Sequence, residues 1–236
     1  MSESDEEVPQ LSAATLAVLQ EFYQEREEHE NKLKNIVEQN QILEATFEED
    51  WQLSQFWYDK DTIDTFVKGA LNYTPPNGRI ALVSCPSLYS QMKKLAGDRQ
   101  GTFFYCLCDG IQISIYTCFL LTVILFEYDQ RFAVFGSDYI PFDYKSPLDI
   151  PRHMSSHFDL VIADPPFLSE ECLTKSAVAI KFLSMEKIVL CTGAIMADLA
   201  NRLLDLKKCD FTPKHKNNLG NEFWCYSNFN FDEVLK

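Results

Sequence analysis

The sequence predicts an α/β fold built on a mostly parallel sheet, with helices on both faces and one antiparallel strand. Three observations predict it. From residue 79 onward, apolar strand-like runs alternate with helix-like stretches. The strand-like runs RIALVSCP, FDLVIAD and KIVLCTG are continuous in apolar residues, the pattern of strands covered on both faces. Two aromatic-rich segments near the end, CDFTPKH and EFWCYSNF, read as an antiparallel pair.

Taken in order, LSAATLAVLQEFYQEREEHE (residues 11–30) has Leu11, Ala14, Thr15, Val18, Leu19 and Phe22 at helical spacing. It predicts an amphipathic helix that runs into a charged connector over 31–50. A second helix is expected over 53–72, and TPPNG (74–78) is a turn cluster. RIALVSCP (79–86) is a buried strand, and SLYSQMKKLAG (87–97) a helix with a glycine stop. VILFEYD (123–129) and DYIPFDY (138–144) are strands with acids at their ends. FDLVIAD (158–164) is a strand, and SEECLTKSAVAIKFL (169–183) a helix with Ser169 as cap and acids in its first turn. KIVLCTG (187–193) is a strand, followed by a helix over 194–207. The apolar stretch 102–126 is long enough to span a bilayer. Asp109, Gly110 and Gln112 interrupt it, and a span there would sit between strands of one sheet, so two strands or an inserted hairpin are expected instead.

A chain of 236 residues, 46% hydrophobic, is long enough to bury a substantial core. The formal net charge is −14, and residues 1–50 hold fourteen acids against three bases. The remainder is nearly balanced, so the acidity belongs to the N-terminal segment. No basic run longer than Lys214-His215-Lys216 is present, which argues against nucleic acid and for small molecules or basic protein partners. The start MSESDEE lacks the apolar stretch of a secretory signal, and the eight cysteines form no CxxC pair. Reduced thiols in a cytoplasmic protein are the expectation. His153 and His157 have no companion ligand pattern, so no metal site is expected.

The chemistry-bearing stretch is FDLVIADPPFLSEE. A β-branched strand breaks into Asp164-Pro165-Pro166-Phe167. Proline has a carbonyl acceptor and no N–H donor. The residue before a proline is pushed to an extended conformation. Asp164 and Pro165 each precede one, so the loop is stiff and rich in acceptors. That surface suits a substrate offering an amino group, and Phe167 adds a flat π face beside it. In open α/β sheets such a strand end is where ligands bind.

A strand followed by D-P-P-[FYW] is similar to the motif of amino-group methyltransferases that use S-adenosylmethionine. Six segments in order extend the likeness: Asp50 to Tyr58, LVSCPSLY, LFEYDQRF, VIADPPFLSEECL, VLCTGAIM and NEFWCY. Together they resemble the lysine methyltransferases of translation elongation factor one-alpha, a family also described as N6-adenine methyltransferase-like. The resemblance covers the chain from about residue 8. It implies a Rossmann-like seven-stranded class I sheet and S-adenosyl-L-methionine as cofactor. It also implies a domain over 51–236 behind an acidic segment 1–50, and makes the apolar material near 100–122 an insertion.

Within that resemblance, Asp164, Pro165, Pro166 and Phe167 are the expected catalytic group. A lone carboxylate favours the ammonium form of lysine, so Asp164 is cast as an orienting acceptor and not a strong base. Ser84 and Pro86 stand where a glycine-rich loop is usual. Asp129, and after it Glu127, are expected on the ribose hydroxyls, and Asp143 on the adenine amino group. Trp57, Asn221 and Phe223 are candidates for the substrate pocket, with core packing as the alternative for Trp57. The expected partner is a basic protein, elongation factor one-alpha, met by a monomer. The competing readings are an adenine methyltransferase of DNA or RNA, whose loop would grip a flipped base, and an inactive scaffold disabled by the insertion.

Overall fold

The computed structural model describes residues 47–97, 121–217 and 220–235, residues 12, 15–17, 20, 21, 23 and 24, and the backbone of 102–108 and 111–117. The chain divides into two units, Met1–Ala45 and Thr46–Lys236. In the first, the Ser12 hydroxyl accepts from the backbone N–H of Thr15 at 3.1 Å and opens a helical stretch. The rest of the helix expected over 11–30, and the connector up to residue 46, lie outside the described residues.

In the second unit, strand β1 (Arg79–Val83) is buried along Ile80, Ala81, Leu82 and Val83. It can be so because it pairs in parallel on both sides, with β4 (Thr122–Glu127) and β6 (Phe158–Ala163). Beyond β4 lies β5 (Tyr139–Pro141), and beyond β6 lies β7 (Ser184–Gly193), both parallel. β9 (Phe223–Ser227) then runs antiparallel to β7 and carries the short β8 (Lys207–Lys208) on its outer edge. Numbering only the strands of this sheet gives the order 3-2-1-4-5-7-6. The order reverses between β1 and β6, which opens a crevice at their carboxyl ends.

Two strands between these elements stay apart from that sheet. β2 (Thr102–Cys108) and β3 (Ile111–Thr117) form an antiparallel ladder of their own, from Thr102 opposite Thr117 to Cys108 opposite Ile111. The hairpin expected from the broken apolar run is therefore present as backbone. Among the described residues, no helix is long and apolar enough to cross a membrane.

Helices cover both faces. α1 (Lys60–Tyr73) buries Thr62, Phe66, Val67, Ala70 and Leu71, and α2 (Tyr89–Gly97) buries Tyr89, Met92 and Ala96. α3 (Glu170–Leu183) buries Leu173, Ala177, Ile180 and Leu183 at helical spacing. Ser169 caps it through the Cys172 N–H, and Glu170 and Glu171 sit in its first turn. α4 (Ala197–Leu204) packs beside it, and a last short helix, α5 (Phe231–Val234), places Phe231 against Phe66. One core joins Ala81, Val83, Val161, Ala163 and Leu190 to α3 and α4. The alternate residues Ile80, Leu82, Leu125 and Ile162 are buried on the opposite face.

The helix expected over 194–207 runs Ala197–Leu204 and the strand expected over 138–144 is Tyr139–Pro141. Two further differences bear on the site. The helix expected to start at 53 starts at Lys60, because Asp59 caps it by accepting from the Thr62 N–H at 2.8 Å. Residues 54–59 are consequently not helical, and the aromatic run Phe56-Trp57-Tyr58 is no helix face. The final pair also shifts. β9 pairs with 207–208, while most of CDFTPKH is loop. Pro213 lacks the N–H a ladder needs, and His215 instead bridges to Tyr58.

Candidate active site

The loops after β1, β4 and β6 are tied to one another by backbone hydrogen bonds. Ser84 N–H donates to the Phe126 carbonyl at 2.9 Å, and Asp164 N–H donates to the Val83 carbonyl at 2.9 Å. Strand geometry therefore fixes where the Ser84 and Asp164 loops stand. Ser84 has φ 55°, a left-handed conformation that turns the chain sharply out of β1. Pro86 then opens a short 3₁₀ turn leading into α2.

These loops enclose a cavity of about 760 Å³. The structure brings eleven of the twelve sequence candidates to it: Trp57, Ser84, Pro86, Glu127, Asp143, the four residues of Asp164–Phe167, Asn221 and Phe223. Asp129 is the exception. It is 6% exposed and does not line the cavity. Its carboxylate caps the turn at Arg131 N–H, pairs with the Arg131 guanidinium at 2.6 Å, and accepts from Gln55 Nε2 at 3.1 Å. Its position two residues past the strand end makes it a turn cap, and the acid on the cavity wall is Glu127.

Glu127 is 5% exposed, and its Oε1 accepts from the N–H groups of Tyr128 at 3.0 Å and Asp129 at 3.2 Å. Burial pushes its pKa up to about 7, with the nearby Asp129 charge adding to the rise and the backbone donors opposing it. Asp143 accepts from the Lys145 N–H at 2.8 Å within its own turn. Phe142 N–H donates to the Glu127 carbonyl at 3.0 Å, which holds this turn against the β4 loop.

On the other side, Asp164 is half-buried, and its Oδ2 accepts from the Tyr58 hydroxyl at 2.6 Å. Desolvation pushes its pKa up to about 7; the Tyr58 hydrogen bond pulls it down and the Glu127 charge pushes it up. Pro165 and Pro166 follow without donors. Phe167 is 39% exposed, and its ring meets Tyr144 edge-on at 5.9 Å. Opposite them, the Trp57 indole donates to the Phe47 carbonyl at 3.0 Å, its backbone N–H donates to Glu49, and its edge meets Phe132. His215 packs between Tyr58 at 4.9 Å and Phe223 at 4.8 Å, and burial lowers its pKa to about 4. Among the described residues no cluster is arranged to hold a metal ion.

Tyr58, Gln55 and His215 are the site residues that sequence reasoning missed. Tyr58 and Asp164 lie 106 positions apart, and no local pattern marks their pairing or the imidazole tilted against the phenol. Gln55 and Tyr58 shared one faint signal, since both belong to the Asp50–Tyr58 segment that carries the family likeness.

A seven-stranded sheet in this order, with an acid at the tip of its second strand and an acceptor-rich Asp-Pro-Pro-Phe corner at the tip of its fourth, defines a class I methyltransferase. The chain belongs to the family described as probable N6-adenine methyltransferase, whose model matches residues 49–231. It is 44% identical over 230 residues to EEF1A lysine methyltransferase 1 of Gallus gallus, covering 97% of this chain and 98% of that protein. It is 45% identical to the protein of that name from Mus musculus, covering 97% and 96% respectively. The branched-chain polyamine synthase from Thermus thermophilus shares the fold. Its TM-score is 0.52 at 11% identity, covering 81% of this chain and 62% of that one.

Proposed function

We propose that this chain is an S-adenosylmethionine-dependent protein-lysine N-methyltransferase acting on translation elongation factor one-alpha, as its relatives' names state for them. The observation that carries the reading is the Asp164 corner. A carboxylate and donor-free prolines share one cavity with a buried acid on the second-strand tip.

The residues present fit the cofactor. The cavity is of the size that holds a nucleoside-bearing ligand. Glu127 is the acceptor for the ribose hydroxyls, in the place first expected of Asp129. Asp143 accepts from the adenine amino group, and the left-handed turn at Ser84, followed by Pro86, lets the backbone come close. When bound, S-adenosylmethionine supplies an electrophilic methyl carbon on a sulfonium.

The substrate half is made by the chain's own groups. The ionised Asp164 accepts from the lysine amine, and the proline carbonyls at 165 and 166 can do the same. Together they aim the nitrogen lone pair. A lysine titrates near ~10.4 in water and must arrive neutral. The apolar surround of Phe167, Phe223 and Trp57 favours the uncharged amine by excluding water. Asn221 borders the mouth. The net charge of −14 suits a basic protein partner met in the cytosol by a monomer of this chain.

Radiolabelled S-adenosylmethionine incubated with the purified chain and a lysate tests the reading. The expected result is a labelled protein band at elongation factor one-alpha, lost when its lysines are blocked. Label in DNA or RNA would move the assignment to adenine, and no label with no cofactor binding by calorimetry would leave a scaffold.

A further inference from the structure

We propose that Tyr58 is a positioning residue for transfer, holding the Asp164 carboxylate in one orientation and in its ionised form. This rests on the reading of Asp164 as the acceptor for the amine. The phenol is 3% exposed, and its hydroxyl donates to Oδ2 at 2.6 Å. That is the short distance of a charge-assisted bond. With Oδ2 committed, Oδ1 is the oxygen left for an entering amine. Without that partner, the carboxylate could rotate and would lose its donor.

The phenol is itself over-determined. Its ring packs on Phe66 at 5.5 Å and on His215 at 4.9 Å. The backbone on either side is clamped to the segment before β9, with Lys216 N–H donating to the Trp57 carbonyl at 2.7 Å and Asp59 N–H to the Lys214 carbonyl at 2.9 Å. Three residues earlier, Gln55 is fixed by Asp129 and Arg131 at the second-strand tip. One extended segment thus carries the aim of Asp164 from both directions.

The other ionisable groups set against this pair are Cys85 after the first strand, Glu127 at the second-strand tip, Cys191 on β7, and His215. None of them is a cation at neutral pH: burial lowers the His215 pKa, as it raises that of Cys85. Among the described residues, the Tyr58 hydroxyl is the donor that stabilises the charge on Asp164. Removing it removes a donor to the charged form, so the Asp164 pKa must rise.

The test is Tyr58→Phe, which keeps the ring and its stacking. Titrating ¹³C-labelled aspartate carboxyls by NMR, with Asp164→Asn to assign the signal, reads the pKa without substrate. The expected result is an upward shift of about half a unit to one unit. In methyl transfer, Tyr58→Phe should lower kcat about tenfold or more, leave the cofactor Kd within about threefold, and move the acid limb of the rate profile up by the same amount as the NMR shift. In an Asp164→Asn background the same change should do nothing further. An unshifted Asp164 titration, or a loss that is fully additive with Asp164→Asn, would overturn the proposal. Because the NMR arm needs no transfer, a shifted pKa alongside a parent chain that methylates no lysine would instead overturn the assigned reaction.

Discussion

Asp164 and Glu127 line the same cavity from different strand tips, and burial pushes both up to about 7, yet they are held in unlike ways. Glu127 takes its two backbone donors from the residues that follow it, so most of its support is part of its own turn, with the Gln55 side chain as a further donor. Asp164 is satisfied by a phenol 106 residues away. The first arrangement forms whenever β4 ends as it does. The second forms only when the segment before α1 is docked. On the proposed assignment, the cofactor half of the site is built mainly by local geometry, while the substrate half depends on tertiary closure.

The sharpest way to break the comparison is to delete each carboxylate. Asp164→Ala should lower kcat by about 100-fold or more while cofactor affinity stays within about threefold, because it removes an interaction made to the reacting amine. Single-turnover methyl transfer and calorimetry separate the two quantities. Equal losses in both would show Asp164 holding the fold or the cofactor. Glu127→Gln should do the reverse. Hydrogen bonds to a charged group contribute about 1.5–3 kcal/mol, so the cofactor Kd should rise by about tenfold to a hundredfold with kcat at saturation little changed.

A second set of consequences follows from titration. In the proposed reading the ionised Asp164 is the stronger acceptor for the amine, so transfer should rise with pH through about 7. Stability runs the other way. The folded-state pKa lies above the unfolded value near ~3.9, so the folded chain binds more protons between those points. The favourable contribution is complete below about 4 and is lost as pH rises through about 7, and Glu127 adds the same slope. Asp164→Asn removes one of the two titrations and keeps an acceptor for Tyr58. It should melt above the parent at pH 8 and level with it near pH 4.5, as a series of Tm measurements would read. A variant less stable at pH 8 would mean that the buried charge is better paired than its surroundings indicate.

The same contrast explains what was legible in the sequence. Strands such as FDLVIA announced themselves because a buried parallel strand is a continuous apolar run. The Asp164–Phe167 corner stood out because prolines punctuate it. Helix α3 was legible from Ser169 and its acids. The start of α1 was not, since the expected helix ran through the consecutive aromatics Phe56, Trp57 and Tyr58 and over the Asp59 cap. The sequence ranks Asp129 ahead of Glu127 and the cavity wall reverses them, because which acid turns inward depends on the φ, ψ path of a two-residue exit. Tyr58 and His215 were illegible for a different reason. Their roles come from pairing between segments at opposite ends of the chain, and no periodicity encodes that.

The smallest expected effect concerns the turn that stands where a glycine-rich loop is usual. Ser84 holds φ 55°, and its N–H is committed to the Phe126 carbonyl, so the conformation is imposed by the strand pairing and not chosen by the side chain. A left-handed non-glycine residue costs about 1–2 kcal/mol relative to an ordinary conformation. Glycine removes that cost but loses about 0.5–1 kcal/mol through the freer unfolded chain. Ser84→Gly should therefore gain no more than about 1.5 kcal/mol, a Tm rise of at most roughly 3–6 °C for a chain of this size. Ser84→Val, with a branched Cβ at the same φ, should lose more than glycine gains. If both variants melt below the parent, the serine hydroxyl contributes more than its strained backbone costs, and this loop too would depend on a side-chain partner, as Asp164 does.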